Sequence, residues 1–312
     1  MLIAIAARKL CTAEAIMIVM NVATGQVYIW PVSGLLEVLA PRLVHGRSTG
    51  CSAQVNAFDP FTFLAAASYC QPAATLSWNC APCGGVPDVV TTASGGDGAS
   101  VQFWFVGFST SLNSVVVGHQ AVITDADIIR ENLDPTLFPG VPSNVKAHGG
   151  FLDGHARAAP DVFAAVNTTL LSNGVNQITI ASHSLGAALG LLDAVMFRQR
   201  LPGVNIKFVG YGMPRVGNKE FANFVDANLP DVTRVVNQQD PVPILPGRFL
   251  GFRHPSGEVH IGEKGQFLAC NGQESEEDGC TIDSTRFIFQ AEKDDHSGPY
   301  HKLKIGCGLR PT

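Results

Sequence analysis

"ITIASHSLGAALGLL" (residues 178–192) decides how the chain reads. An alternating β-branched run stops at Ala181, and a small-residue helix pattern begins at Leu185. Ser184 stands between them, with Ser182 two residues before it and Gly186 two after. A serine with so little bulk around it, at a strand-to-helix corner, either only turns the chain or is a nucleophile held over the end of a sheet. The small-x-Ser-x-Gly pattern is weak by itself. Its weight comes from the strand before it and the helix after it. In a nucleophile elbow the flanking positions lie against neighbouring backbone and must be small. The same turn aims the N–H of Leu185 at the oxygen of a reacting carbonyl, where the helix N-terminus adds positive potential.

Outward from this corner, strands and helices alternate. Residues 177–182 read as a buried strand and 185–200 as a helix with Leu185, Ala188, Leu189, Leu192 and Met196 on one face. Beyond them, 205–212 is a strand, 217–228 a helix and 232–237 a strand. Before them, 56–70 has helical spacing, 101–109 and 114–119 are strands, and 158–172 is a helix stopped near Asn173-Gly174. This order predicts an α/β fold: a central, mostly parallel sheet flanked by helices.

At 312 residues the chain is long enough for one domain of about 250 residues with terminal extensions. Hydrophobic residues make up 46% and charged residues 15%, which favours a packed globule over disorder. The net charge of −5 and the lack of a basic stripe argue against nucleic acid as a partner. The acidic run Glu274–Asp278 reads as a solvated loop. Near the start, Arg8 and Lys9 precede "AEAIMIVMNVATGQVYIW", interrupted by Asn21, Thr24, Gly25 and Gln26. That is too polar for a span of about 20 apolar residues, so no stable membrane insertion is expected. Residues 1–50 are set apart as an extension, a disturbed signal or pro-segment, and 51–312 as a single catalytic domain.

The eight cysteines avoid residues 84–269. A zinc site would bring matched short pairs. Cys80-x-x-Cys83 is one such pair, but Cys270 and Cys280 are ten apart. Disulfides tying the chain ends together, and hence an oxidising, extracellular compartment, are the better reading. No metal or cofactor is expected.

A serine hydroxyl attacks only when a base takes its proton and an acid orients that base. On such sheets the chain order is Ser, Asp/Glu, His. Asp240 in "VVNQQDPVPILP" follows a β-branched strand, in a loop framed by Pro241, Pro243 and Pro246. His254, His260, His296 and His301 all follow Ser184. Spacing alone does not separate His296 from His254.

"SHSLG", "YGMPRVGN" (211–218), "NQQDPVPILP" and "DHSGPY", with "AHGGF" (147–151) and "HPSGEV" (254–259), resemble the successive motifs of the fungal class 3 lipases. This α/β-hydrolase family includes filamentous-fungal triacylglycerol lipases and type A feruloyl esterases. The resemblance runs over about residues 55–308. It implies Ser184 as nucleophile, Asp240 as orienting acid and His296 as general base and acid, with Asp295 a neighbour of the triad. It also implies disulfides Cys70–Cys307 and Cys270–Cys280. Cys80–Cys83 is the pairing left for two of the others.

One segment departs from the family. After its "VVV" strand the family places a Gly-Thr or Gly-Ser turn that supplies a second oxyanion N–H, then a lid helix. Here Ala121-Val122 follow Gln120, so those two residues with Leu185 are the expected oxyanion donors. Residues 121–132 are too short for both oxyanion loop and lid, which predicts an open, accessible Ser184. Loop 245–256 is the alternative lid. The expected function is a secreted, monomeric serine carboxylic-ester hydrolase, a triacylglycerol lipase working on ester substrates or at a lipid–water interface. A feruloyl esterase is the alternative within the same chemistry, and an impaired lipid- or wall-binding protein the alternative outside it. Asn167-Thr168-Thr169 is a candidate glycosylation sequon.

Overall fold

The computed structural model describes residues 56–120 and 129–308, and the backbone of three strands nearer the N-terminus. The chain divides into two compact units, Met1–Cys51 and Ser52–Thr312. In the first, β1 (Leu2–Arg8), β2 (Ala15–Asn21) and β3 (Gln26–Val32) form an antiparallel sheet.

The second unit is an eight-stranded sheet with helices on both faces. It opens with α1 (Asp59–Ala67) and α2 (Pro72–Leu76), then β4 (Val89–Gly95), β5 (Trp104–Ser109) and β6 (Ser114–His119). The short β7 (Arg130–Asn132) and β8 (Lys146–His148) precede α3 (Gly149–Asn173). Next come β9 (Gln177–His183), α4 (Leu185–Arg200), β10 (Asn205–Tyr211), β11 (Gly217–Asn218) and α5 (Lys219–Asn228). The chain continues through β12 (Asp231–Asn237), β13 (Phe252–Arg253), β14 (Glu258–Ile261), β15 (Phe267–Ala269) and α6 (Thr281–Ser284). The strand order is β15-β14-β12-β10-β9-β6-β5-β4. Five neighbours, β6, β9, β10, β12 and β14, run parallel, and antiparallel strands close both edges. This is the α/β-hydrolase architecture. A smaller sheet, β13-β11-β8-β7, stands beside it.

The two-residue strand period explains how both sheet faces are covered. Val115, Val117, Ile178 and Ile180 point to the side of α3 and α4, where they meet Val162, Val166 and Leu192. Val116 and Ala181 point the other way, against Leu64 and Ala67 of α1. The one-faced pattern read from 185–200 understates α4. Every residue from Gly186 to Phe197 is buried, because the sheet lies on one side and α3 on another. α3 begins nine residues earlier than the sequence reading of 158–172. Pro160 looks like a helix start, yet it sits inside α3 at an exposed position. The one hydrogen bond it removes there faces solvent rather than core. The predicted stop holds: Gly174 takes φ 63° and donates to Leu170 O.

Among the described residues the disulfides are Cys70–Cys307, Cys80–Cys83 and Cys270–Cys280. The first closes a span of 237 residues and ties α1's end to the C-terminus. Cys11 and Cys51 lie outside the described residues. Glu274, read as solvated, is buried and pairs with Arg215 through both carboxylate oxygens at 2.7 and 2.8 Å. Burial would raise its pKa, but Arg215 and the His254 main chain outweigh that and hold it down to about 2. A charge run seen in sequence carries no record of the one arginine that folds onto it.

Candidate active site

Ser184 sits at the junction of β9 and α4 with φ 59° and ψ −136°, a strained conformation for any residue with a side chain. The surroundings hold it there. Its N–H donates to Tyr211 O at 2.8 Å. Two residues before it, Ser182 Oγ accepts the His119 N–H at 3.0 Å. Two residues after it, a Cβ on Gly186 would stand 2.2 Å from His119 O. Both flanking positions are therefore small for one reason, which is that the main chain of one residue of β6, His119, lies against them.

The sheet's C-terminal edge brings the partners in. Asp240 follows β12, fully buried, with its Oδ1 capped by the N–H of Val242 at 2.8 Å. His296 lies in a 3-10 turn at 293–297. Its Nδ1 is 2.9 and 3.0 Å from the two Asp240 oxygens, and its Nε2 is 2.7 Å from Ser184 Oγ. A carboxylate can only accept, so Nδ1 carries the proton and Nε2 is free to take the one on the serine. Gly212 makes room for this. With φ 53°, it would place a Cβ 2.7 Å from Tyr300 Oη and 2.8 Å from Asp240 Oδ2.

The other late histidines are elsewhere. His254 is buried and donates from Nε2 to Pro243 O at 2.8 Å, and burial followed by the Arg234 charge pushes its pKa well down. His260 donates to Gln238 O, and His301 meets Asp59 at 2.7 Å. Asp295 accepts the Gln239 N–H, so its carboxylate does not orient His296.

Sequence reasoning passed over the residues beneath His296. His183 donates from Nε2 to His296 O at 2.6 Å and accepts at Nδ1 from the Tyr69 hydroxyl at 2.6 Å. Burial, then the His296 charge, hold the His183 pKa down to about 3, so it stays a neutral relay between the two. Burial also pushes the Tyr69 pKa up, which keeps its proton in place. Tyr300 Oη donates to the same His296 carbonyl at 3.1 Å. The signal for His183 was its place inside "SHSLG", next to the serine.

Leu185 heads α4, where no earlier helical carbonyl takes its N–H. Ala121 and Val122 lie outside the described residues, as do residues 121–128 as a whole. Gln120 is described, and its N–H is already given to Phe103 O at 2.8 Å. The described end of the short 121–132 segment, Arg130–Asn132, pairs with β8. Ser184 exposes 5% of its surface, less than the open site expected. Much of a serine is main chain, and this main chain is enclosed by β6 and β10. Asn167 is exposed on α3, while Thr169 is buried with its hydroxyl on Ala165 O.

Among the described residues, Glu258, Cys270 and Cys280 are close enough to share a metal ion. The two sulfurs are bonded to each other, and Glu258 is taken by Arg234 and the Thr281 N–H, so these residues do not fit one. No helix among the described residues is long and apolar enough to cross a membrane.

Residues 113–250 match the family model for Lipase (class 3). The secreted mono- and diacylglycerol lipase MDL2 of Malassezia globosa is 37% identical over 172 residues, 54% of this chain and 55% of that protein. A lipase of Rhizomucor miehei is 30% identical over 236 residues, 69% of this chain and 61% of that protein. The chain thus spans a little over half the length of the curated relatives it matches. Among solved structures, lipase II from Rhizopus niveus superposes with a TM-score of 0.73 at 25% identity, covering 83% of this chain and 98% of that one. Motif order, sheet topology and these likenesses agree, and the chain belongs to the class 3 lipase family.

Proposed function

We propose that the protein hydrolyses carboxylic esters of glycerol, triacylglycerols among them, by way of an acyl-enzyme on Ser184. The single observation that carries this reading is the unbroken run of contacts from Ser184 Oγ through His296 to Asp240. A protein that only bound lipid would gain nothing from a buried carboxylate aimed through an imidazole at a strained serine.

In the first half-reaction His296 Nε2 takes the Ser184 proton as Oγ bonds to the ester carbonyl carbon. Asp240 holds Nδ1–H and stabilises the imidazolium. The Leu185 N–H, at the positive end of α4, takes the negative oxygen of the tetrahedral intermediate. The C–O bond to the alcohol breaks, and His296 returns its proton to the leaving alkoxide. In the second, water gives a proton to Nε2 and attacks the acyl carbon, releasing the acid and restoring Oγ–H. A further oxyanion donor from Ala121 or Val122 belongs to this proposal.

The secreted relatives and the disulfides support an extracellular protein, and we take it to be a monomer with residues 1–50 as an extension outside the catalytic domain. Asn167 is exposed, as a glycan there requires. Hydrolysis of triolein, diolein and methyl ferulate by purified protein tests the substrate class. Release of oleate but not ferulate is expected, and ferulate release alone would overturn the acylglycerol assignment.

A further inference from the structure

Three buried ionisable groups take no part in the chemistry above. His119 ends β6, His155 lies in α3 and Asp193 in α4, and they expose 2%, 2% and 0% of their surface. His119 Nε2 donates to Asp193 Oδ2 at 2.5 Å and His155 Nε2 donates to Oδ1 at 2.9 Å. Burial works to raise the Asp193 pKa, and the two imidazoles outweigh it and bring it down to about 2. Among the described residues, the Nδ1 atoms of both histidines have no hydrogen-bond partner. Such a cluster costs more to bury than apolar side chains of the same volume, so packing alone does not account for it.

Its place suggests what it does. The main chain of His119 touches both flanks of the Ser184 turn, through Ser182 Oγ on one side and Gly186 on the other. Its carbonyl also accepts from Ser68 Oγ at 3.0 Å. Its side chain reaches about two helical turns along α4 to Asp193. His155, on the second oxygen, keeps the carboxylate from turning away. One residue thus joins the end of β6 to both ends of the segment that carries Ser184 and the Leu185 N–H.

We propose that Asp193 is a positioning residue: through His119 it locks the end of β6 against the nucleophile turn and holds Ser184 and the Leu185 N–H where the tetrahedral intermediate needs them. This rests on the ester-hydrolase reading of the site. A shift of the turn by a fraction of an ångström to 1 Å weakens transition-state contacts while leaving the acyl site intact. The loss should therefore fall on kcat rather than KM.

The test compares Asp193→Asn, His119→Leu and His119→Gln with the unaltered protein on p-nitrophenyl butyrate. Rates are counted per site titrated by a fluorophosphonate, which removes any unfolded fraction. Asn and Leu should lower kcat about tenfold to a hundredfold with KM within about twofold, and raise the Ki of an aliphatic trifluoromethyl ketone in parallel. Gln offers an N–H where His119 Nε2 was, and should recover most of the lost kcat. Should His119→Leu fail to fold, Asp193→Asn carries the same comparison. Unchanged kcat per titrated site and unchanged Ki in Asp193→Asn would overturn the positioning role. Esterase activity that survives Ser184→Ala in an otherwise unaltered protein would overturn the reading beneath it instead.

Discussion

At their direct contacts the two halves of the site are held by opposite means, the proposed His119–Asp193 pair acting one step behind the nucleophile turn. On the nucleophile side the fixing contacts run through main chain and small residues: Tyr211 O on the Ser184 N–H, and the His119 peptide between Ser182 and Gly186. On the Asp240–His296 side polar side chains from distant parts of the chain do the holding. Tyr69 and His183 support the His296 carbonyl, and Arg215 clamps Glu274 and the carbonyls of Ile244 and Pro246 in the loop after Asp240. A strained turn is best kept by close packing, which tolerates almost no substitution. A general base on a long loop is best kept by directional bonds that fix its orientation.

The comparison can be broken from either side. The largest effect is expected at Asp240. Asp240→Asn leaves the packing intact but favours the wrong His296 tautomer, and should lower kcat by about four orders of magnitude with little change in KM. A loss below about tenfold, measured on a soluble ester, would show that another group orients the base.

Next in size is Arg215→Met. It strands the buried Glu274 carboxylate and should cost about 3–5 kcal/mol of stability by denaturant unfolding. Adding Glu274→Gln should recover much of that, because the unpaired charge goes. No recovery would mean that the contacts of Arg215 with Ile244 O and Pro246 O matter more than the ion pair.

Gly186→Ala attacks the other half. Its Cβ meets a main-chain carbonyl at 2.2 Å, so β6 and the turn have to part. We expect a loss in kcat of about a hundredfold, with the protein still folded by circular dichroism. Full activity would show that the turn is looser than its packing implies.

The smallest effect per step is in the pH dependence of stability, where each pH unit moves little, and it belongs to the side-chain half. His183 has its pKa lowered from 6.5 to about 3, so below about pH 6.5 the unfolded chain binds a proton the folded one refuses. Stability falls as pH drops from 6.5 towards 3, by at most about 1.4 kcal/mol per pH unit for one proton. Glu274, lowered from 4.5 to about 2, adds a loss of the same sign below pH 4.5. In His183→Gln the slope between pH 6.5 and 4.5 should become shallower, leaving the part that the buried His254 contributes in the same range, while the lower limb remains. An unchanged upper limb, followed by chemical denaturation across this range, would remove His183 as its source.

The same contrast explains what the sequence could disclose. The nucleophile half was legible because its constraint is local: Ser182, Ser184 and Gly186 stand in one pentapeptide, and only small residues fit beside a neighbouring strand. The sheet was legible from β-branched runs such as 115–117 and 178–180 alternating with helical stretches. The other half depends on pairs such as Tyr69–His183, separated by 114 residues, and Arg215–Glu274, separated by 59. No periodicity marks such partners. His254 and His296 look alike in spacing, and only folding puts one on Pro243 O and the other on Ser184. Glu274 looked solvated for the same reason, and the buried α4 looked one-sided because its second covering, α3, comes from elsewhere in the chain.

Every step proposed for the site requires Ser184 to be the nucleophile of an ester hydrolase. The most direct measurement is intact-mass analysis and peptide mapping after reaction with a fluorophosphonate. One adduct per chain is expected, on Ser184, with triolein hydrolysis falling in step with labelling and no adduct on the Ser184→Ala protein. An adduct on another residue, or triolein hydrolysis that persists when Ser184 is fully labelled, would contradict it.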